Sequence, residues 1–167
     1  NTDISLINSQ LSFDDNQYQI DSVNISKHTN NEMFTSTKIS SDIIDINADG
    51  YYNIETVTSS FYNLVDNYYN IIKLKNKPAK NTNKNIKLNL TINDPQIFTE
   101  QFLMGVNIAP NTSLSSDIDF TTNNIDLNLT SEQLSINNVR ADTANLNITT
   151  ISDSLIGELS IVNFILK

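Results

Sequence analysis

The chain has no cysteine and no tryptophan, only three glycines and three prolines, and a single histidine. Without cysteine there is neither a disulfide framework nor a thiolate metal site, a usage that fits many bacterial envelope proteins. The one histidine, His28, sits in the polar run Ser26–Asn31 and reads as an exposed loop residue. Alone it builds neither a zinc centre nor a Ser-His-Asp triad. With so few glycines there is no glycine-rich phosphate loop, and a small, tightly coiled barrel that depends on glycine kinks is disfavoured. Basic residues are also scarce. Ten Lys and Arg stand against 19 Asp and Glu, for a net charge of −9. That balance excludes a nucleic-acid partner, which needs a basic surface, and disfavours docking on anionic headgroups. No apolar run is long enough for a membrane-spanning helix, and no signal peptide is visible.

What the chain has is alternation. Its 167 residues suit one domain, and hydrophobic residues make up 38% of them. Asn supplies 27 positions, a bias that AT-rich genomes produce. The Asn residues alternate with Ile and Leu and do not cluster as in a prion-like tract. Ile86, Leu88, Leu90 and Ile92 are separated by Lys87, Asn89 and Thr91. Leu114, Ile118 and Phe120 share a parity, as do Ile125, Leu127 and Leu129, then Leu134 and Ile136, then Leu146 and Ile148, then Leu159 and Ile161. The first half is similar, with Tyr18 and Ile20, Val23 and Ile25, and Ile44, Ile46 and Ala48. A period of two places the apolar side chains on one face of a strand and the polar ones on the other. Turn formers divide these segments at Asp14-Asp15-Asn16, Thr29-Asn30-Asn31, Asp49-Gly50, Asn111-Thr112, Thr122-Asn123-Asn124, Asn137-Asn138 and Ser152-Asp153. The pattern predicts short strands in an antiparallel meander with one wet and one dry face.

Two segments depart from it. In Ser59–Lys73 the apolar positions Phe61, Leu64, Val65, Tyr68 and Ile72 follow helical spacing, with N-cap candidates at Thr58 to Ser60 and Lys73 in the last turn. In 95–104, Asp94 reads as the N-cap, Pro95 as the first helical residue and Gly105 as the stop, with Phe98 and Phe102 on one face. Lys73 to Lys84 reads as a mobile surface loop, so that 59–84 forms a helix-and-loop insertion. The expected fold is all-β, one β-rich segment over 1–167, its ends cut from a longer protein.

Candidate chemistry is sparse. Asp45, Asn47, Asp49 and Gly50 match the opening of a calcium loop, but Thr56 stands where the bidentate acid belongs and Glu55 is one place early. The competing reading is a solvated strand ending in an Asp-Gly turn. Asp117 and Asp119 share the polar face of one strand, where solvated acids belong, and nothing suggests the desolvated pocket a catalytic acid needs. Tyr51, Tyr52, Tyr62, Tyr68 and Tyr69 fall close together and suit either a membrane-interface or carbohydrate platform, or a helix capping the sheet. The apolar face must leave water, by forming a dry sandwich or by lining a trough that something else occupies.

The stretch Ile43–Ile54, an amphipathic helix with Tyr68-Tyr69, then Ile86–Asp94, Pro95–Ile108 and Asn111–Ser135 together resemble a segment of TamB proteins from Bacteroidota, within the AsmA-like superfamily of repeating β-groove proteins. The likeness covers residues 35–155 and rests on pattern and element order. It implies a β-taco groove within a long, inner-membrane-anchored protein of the periplasm. Such proteins are thought to move phospholipid between membranes and, with an Omp85-type barrel partner, to aid outer-membrane protein assembly. The implied groove lining is Ile86, Leu88, Leu90, Ile92, Leu114, Ile118, Phe120, Ile125, Leu127, Leu129, Leu134, Ile136, Leu146 and Ile148. The two helices depart from an uninterrupted groove. The expectation is therefore a non-enzymatic lipid conduit without a cofactor. The alternative is an extracellular β-sandwich for adhesion or carbohydrate binding, using the Tyr cluster or the Asp45–Asp49 segment.

Overall fold

The computed structural model describes residues 1–13, 16–69, 83–101 and 105–166. Among them, eleven strands form one open antiparallel sheet with two short helices. The strands are β1 (Thr2–Phe13), β2 (Asn16–Thr29), β3 (Thr35–Ser41), β4 (Ile44–Tyr51), β5 (Asn85–Ile92), β6 (Val106–Ile108), β7 (Thr112–Asp119), β8 (Asn124–Ser131), β9 (Leu134–Ile136), β10 (Val139–Ile151) and β11 (Ser154–Leu166). Helix α1 (Ile54–Tyr69) lies between β4 and β5, and α2 (Gln96–Gln101) between β5 and β6.

The sheet is a meander in chain order. β6 and β9 prolong β7 and β8 across short breaks at 109–111 and 132–133, where Ala109 N–H donates to Gln133 O at 2.9 Å. β9 keeps the register that β8 makes with β10. Counting each prolonged strand once, nine strand positions run from β1 to β11. Neither of these outer strands pairs on its outer side, so the sheet is not closed into a barrel.

The turns explain why a glycine-poor chain can fold this way. Asn111, Asn123 and Asn137 take φ of 60°, 57° and 52°, and Ser152 and Asp153 take 47° and 63°. Asn and Asp tolerate this left-handed region because their short polar side chains bond locally. Ser152 and Asp153 make the two-residue connection of β10 to β11, where Ile151 pairs with Ser154. Positive φ at both central residues matches the twist of the flanking strands.

Several details differ from the pattern read above. The outer strands are long, 12 residues in β1, 14 in β2 and 13 each in β10 and β11. In β2 the apolar parity switches between Ile20 and Val23 without ending the strand, because cross-strand pairing continues. Asn8, at φ 51°, lies in β1 opposite this switch. Val23 packs against the same cluster as Tyr18 and Ile20, so apolar residues on both sides of the switch meet one core. His28 lies within β2, paired with Ser36, not in a loop. Asp49-Gly50 is not a turn: both residues are inside β4, paired with Lys87 and Ile86. The reversal comes earlier, at Asp42–Ile43, where Ser41 Oγ accepts from Ile43 N at 3.2 Å and Ile44 N at 2.9 Å. Gly50 (φ +154°) is required for another reason, since a Cβ there would drive into the carbonyl of Asn85.

Helix α1 begins at Ile54, five residues before the expected Ser59. Its N-cap is Asn53, whose Oδ1 accepts from Glu55 N at 2.8 Å. The stretch Ile54–Thr58, β-branched except at Glu55, hides this start, because it reads as strand; packing of Val57 and Leu64 overrides that propensity. Residues 70–73 of the expected helix, and 73–82 of the expected loop, lie outside the described residues. Asn83 is buried, bonding Ser60 Oγ at 2.6 Å and, through Oδ1, Asn53 N at 2.6 Å. Helix α2 has its N-cap where the sequence places it, Asp94 Oδ1 accepting from Gln96 N at 2.9 Å. Phe102 lies outside the described residues, whereas Ile97 and Phe98 join a core cluster with Tyr18, Ile20 and Ile43.

Candidate functional site

Backbone pairing aligns the apolar positions into rows that cross the sheet. One row runs Ile4, Ile25, Ile39, Ile46, Leu90, Leu114, Leu129, Leu146, Leu159, an Ile or Leu at each of the nine strand positions. A second row carries Thr37, Ala48, Leu88, Ser116, Leu127, Ile148 and Gly157. A third carries Gly50, Ile86, Ile118 and Ile125. On the other side of the long row, Ile92 pairs with Ile44 and Thr112.

The interleaved rows are polar. Asn47, Asn89, Ser115, Asn128 and Asn147 form one of them, and Asn128 Nδ2 donates to Asn147 Oδ1. In the next, Lys87 Nζ lies 3.0 Å from Asp117 Oδ2. From β3 to β10 the wet and dry faces are therefore properties of the sheet, not of single strands.

Most of the sequence-derived lining residues thus share one face. Leu90, Leu114, Leu129 and Leu146 stand in the long row, Leu88, Leu127 and Ile148 in the second, and Ile86, Ile118 and Ile125 in the third. Phe120 follows β7 and is buried with the third row. Leu134 and Ile136 are set apart, on β9 beyond the break, paired with Ala141 and Val139, and Ile136 is exposed.

Helix α1 covers part of this face. Leu64, 1% exposed, packs with Ala48, Tyr52, Ile86, Ile118, Phe120 and Ile125. Tyr68 pins the far end of the helix through its hydroxyl, which donates to Asn123 O and lies 3.2 Å from Thr150 Oγ1. Between α1 and the sheet remains an open-sided cleft of about 530 Å³. Its walls are Ile54, Val57 and Phe61 of the helix and Ile39, Ile46, Leu88, Leu114 and Leu127 of the sheet. Ser116 also lines it; its side chain is buried, and its Oγ has no hydrogen-bond partner among the described residues. Sequence reasoning passed over Ser116. The signal was present: it is the one polar residue at an apolar-parity position between Leu114 and Ile118.

The other candidate residues sit in the strands and turns of the sheet. Asp45, Asn47 and Asp49 alternate along β4 and do not wrap around a loop. Asp45 accepts from Ser40 Oγ at 2.7 Å and Asn93 Nδ2 at 2.9 Å, and the Asn93 bond, then the Ser40 bond, hold its carboxyl below the usual range. Among the described residues no three His, Asp or Glu side chains converge. Asp119 caps the turn after β7, accepting from Thr121 N at 2.7 Å. His28 Nε2 lies 3.8 Å from Asp3 Oδ1 at the exposed β1–β2 edge.

Tyr51, Tyr52 and Tyr62 do not form one platform, and the Tyr69 side chain lies outside the described residues. Tyr52 is buried, its Oη 2.7 Å from Thr37 Oγ1 and 3.0 Å from Ala48 O. Tyr51 meets Phe34 edge-on at 5.5 Å and carries Lys84 Nζ 5.4 Å above its ring. Tyr62 is exposed at the rim of the cleft.

No family model, curated protein or solved structure matches the chain.

Proposed function

We propose that this chain is a groove segment that carries acyl chains on its apolar face, as the likeness to TamB and AsmA-like proteins implies. In that role it lies in the periplasm within an inner-membrane-anchored protein. There it conducts phospholipid between membranes or, with an Omp85-type barrel, aids outer-membrane protein assembly. The observation that carries the reading is the long row: nine consecutive strand positions present Ile or Leu at one level.

The mechanism is passive. An acyl chain laid on such a row leaves water, with about 25 cal/mol gained per Å² of apolar surface removed. The row changes little from strand to strand, so displacement of a chain along it changes the buried area little. No side chain on it holds a charge that would trap a headgroup.

The far end of the row is accessible, since Leu159 is 59% exposed. With a photoactivatable phospholipid, Leu159→Asp and Leu146→Asp are expected to abolish crosslinking, while the polar-row change Ser160→Asp leaves it intact. Equal crosslinking of all three overturns the conduit.

A further inference from the structure

We infer that the cleft between α1 and the sheet is a site for one acyl chain ending in an uncharged ester, whose carbonyl oxygen accepts a hydrogen bond from Ser116 Oγ. The inference rests on the reading that the apolar face holds lipid, and adds where one chain stops and what recognises it.

Ser116 is 9% exposed and stands between Leu88 and Leu127 across the neighbouring strands. A buried hydroxyl without a partner is costly, and native proteins leave few of them. In the same row, three strand positions away, Thr37 Oγ1 is engaged by Tyr52, which leaves Ser116 as the buried hydroxyl among the cleft-lining residues, able to reach a ligand there by rotation about its Cα–Cβ bond. Among the described residues no Lys, Arg, His, Asp or Glu lines the cleft. A carboxylate or phosphate drawn inside would therefore be desolvated without a counter-charge, whereas an ester carbonyl needs one hydrogen bond.

Shape points the same way. Thr37, Ala48 and Ser116 are small where their neighbours are large, so the second row dips beneath α1. The volume of about 530 Å³ falls in the range of small-ligand sites, roughly 300–1,000 Å³. Ile39, Ile46 and Leu114 belong both to the cleft wall and to the long row, so a chain seated here is continuous with the groove.

The test uses 1-monooleoylglycerol labelled with ¹³C at the carbonyl, with oleate as the charged control and phospholipid crosslinking at Leu159 read in parallel. The protein is expected to bind the monoglyceride more tightly than oleate, with a shifted carbonyl resonance. Ser116→Ala should remove the shift and weaken binding about fivefold to tenfold. Without ligand it should melt no lower than the parent chain, which shows that the loss is not unfolding. Ser116→Leu should fill the cleft and abolish monoglyceride binding. Unchanged affinity and resonance in both variants, or preference for oleate, overturns the cleft assignment. Crosslinking at Leu159 that survives this result leaves the conduit standing. Conversely, loss of crosslinking with intact, Ser116-dependent monoglyceride binding upholds the cleft and overturns the conduit.

Discussion

Asparagine takes on work that glycine does in other β-proteins. Among the described residues, five of the eight non-glycine residues at positive φ are Asn: 8, 111, 123, 137 and 163. The bias that looks compositional thus supplies turn chemistry. The opposite case is Gly50, where the neighbouring strand leaves no room for a Cβ. Gly50→Ala is expected to lower stability by about 2 kcal/mol or more, measured by urea unfolding. Asp45 gives a pH dependence. Its hydrogen bonds from Asn93 and Ser40 lower its folded-state pKa, so the stability it contributes is present above the unfolded value and is lost as pH falls through the folded one. Asp119 and Glu100 are shifted the same way, chiefly by hydrogen bonds from Thr121 and Tyr18 respectively. The melting temperature should fall below roughly pH 4, and Asp45→Asn should flatten part of that decline.

At the scale of elements, the two helices behave differently from their sequence pattern. For α2, the Asp94-Pro95 start is a local signal, and it was legible because capping depends on adjacent residues. For α1, the start was not legible, because Asn53 is one of many Asn residues and four of the next five residues are β-branched. The helix exists there because Val57, Leu64 and Tyr68 find the sheet, a contact no local window contains. Leu64→Ala should cost about 3 kcal/mol in urea unfolding, since Leu64 is the most deeply buried large side chain among the described residues. A loss under 1 kcal/mol would show that α1 is not held by that packing. Asp49-Gly50 misled for the same reason. Its local chemistry says turn, but eight cross-strand pairs with β5 hold both residues in β4.

For the whole molecule, the sheet has protected middle strands and two free edges. β1 and β11 expose Ile7, Leu159, Val162 and Phe164 and, among the described residues, leave their outer backbone groups unpaired. Amide exchange should therefore be fast along β1 and β11 and slowest in β4, β5, β7 and β8, which are paired on both sides and covered by α1. Slow exchange at both edges would mean that they are paired in solution.

The sequence by itself determined the all-β class, the wet and dry parities and most of the residues that share the dry face, because strand side chains alternate with a period set by backbone geometry. Register, the alignment of Ile4 through Leu159 into one row, the place of α1 and the Ser116 hydroxyl without a partner among the described residues were decided only in the tertiary structure. Each depends on which strands lie side by side, and residues as far apart in sequence as Thr37 and Ser116 share one row only through the chain of pairings between them.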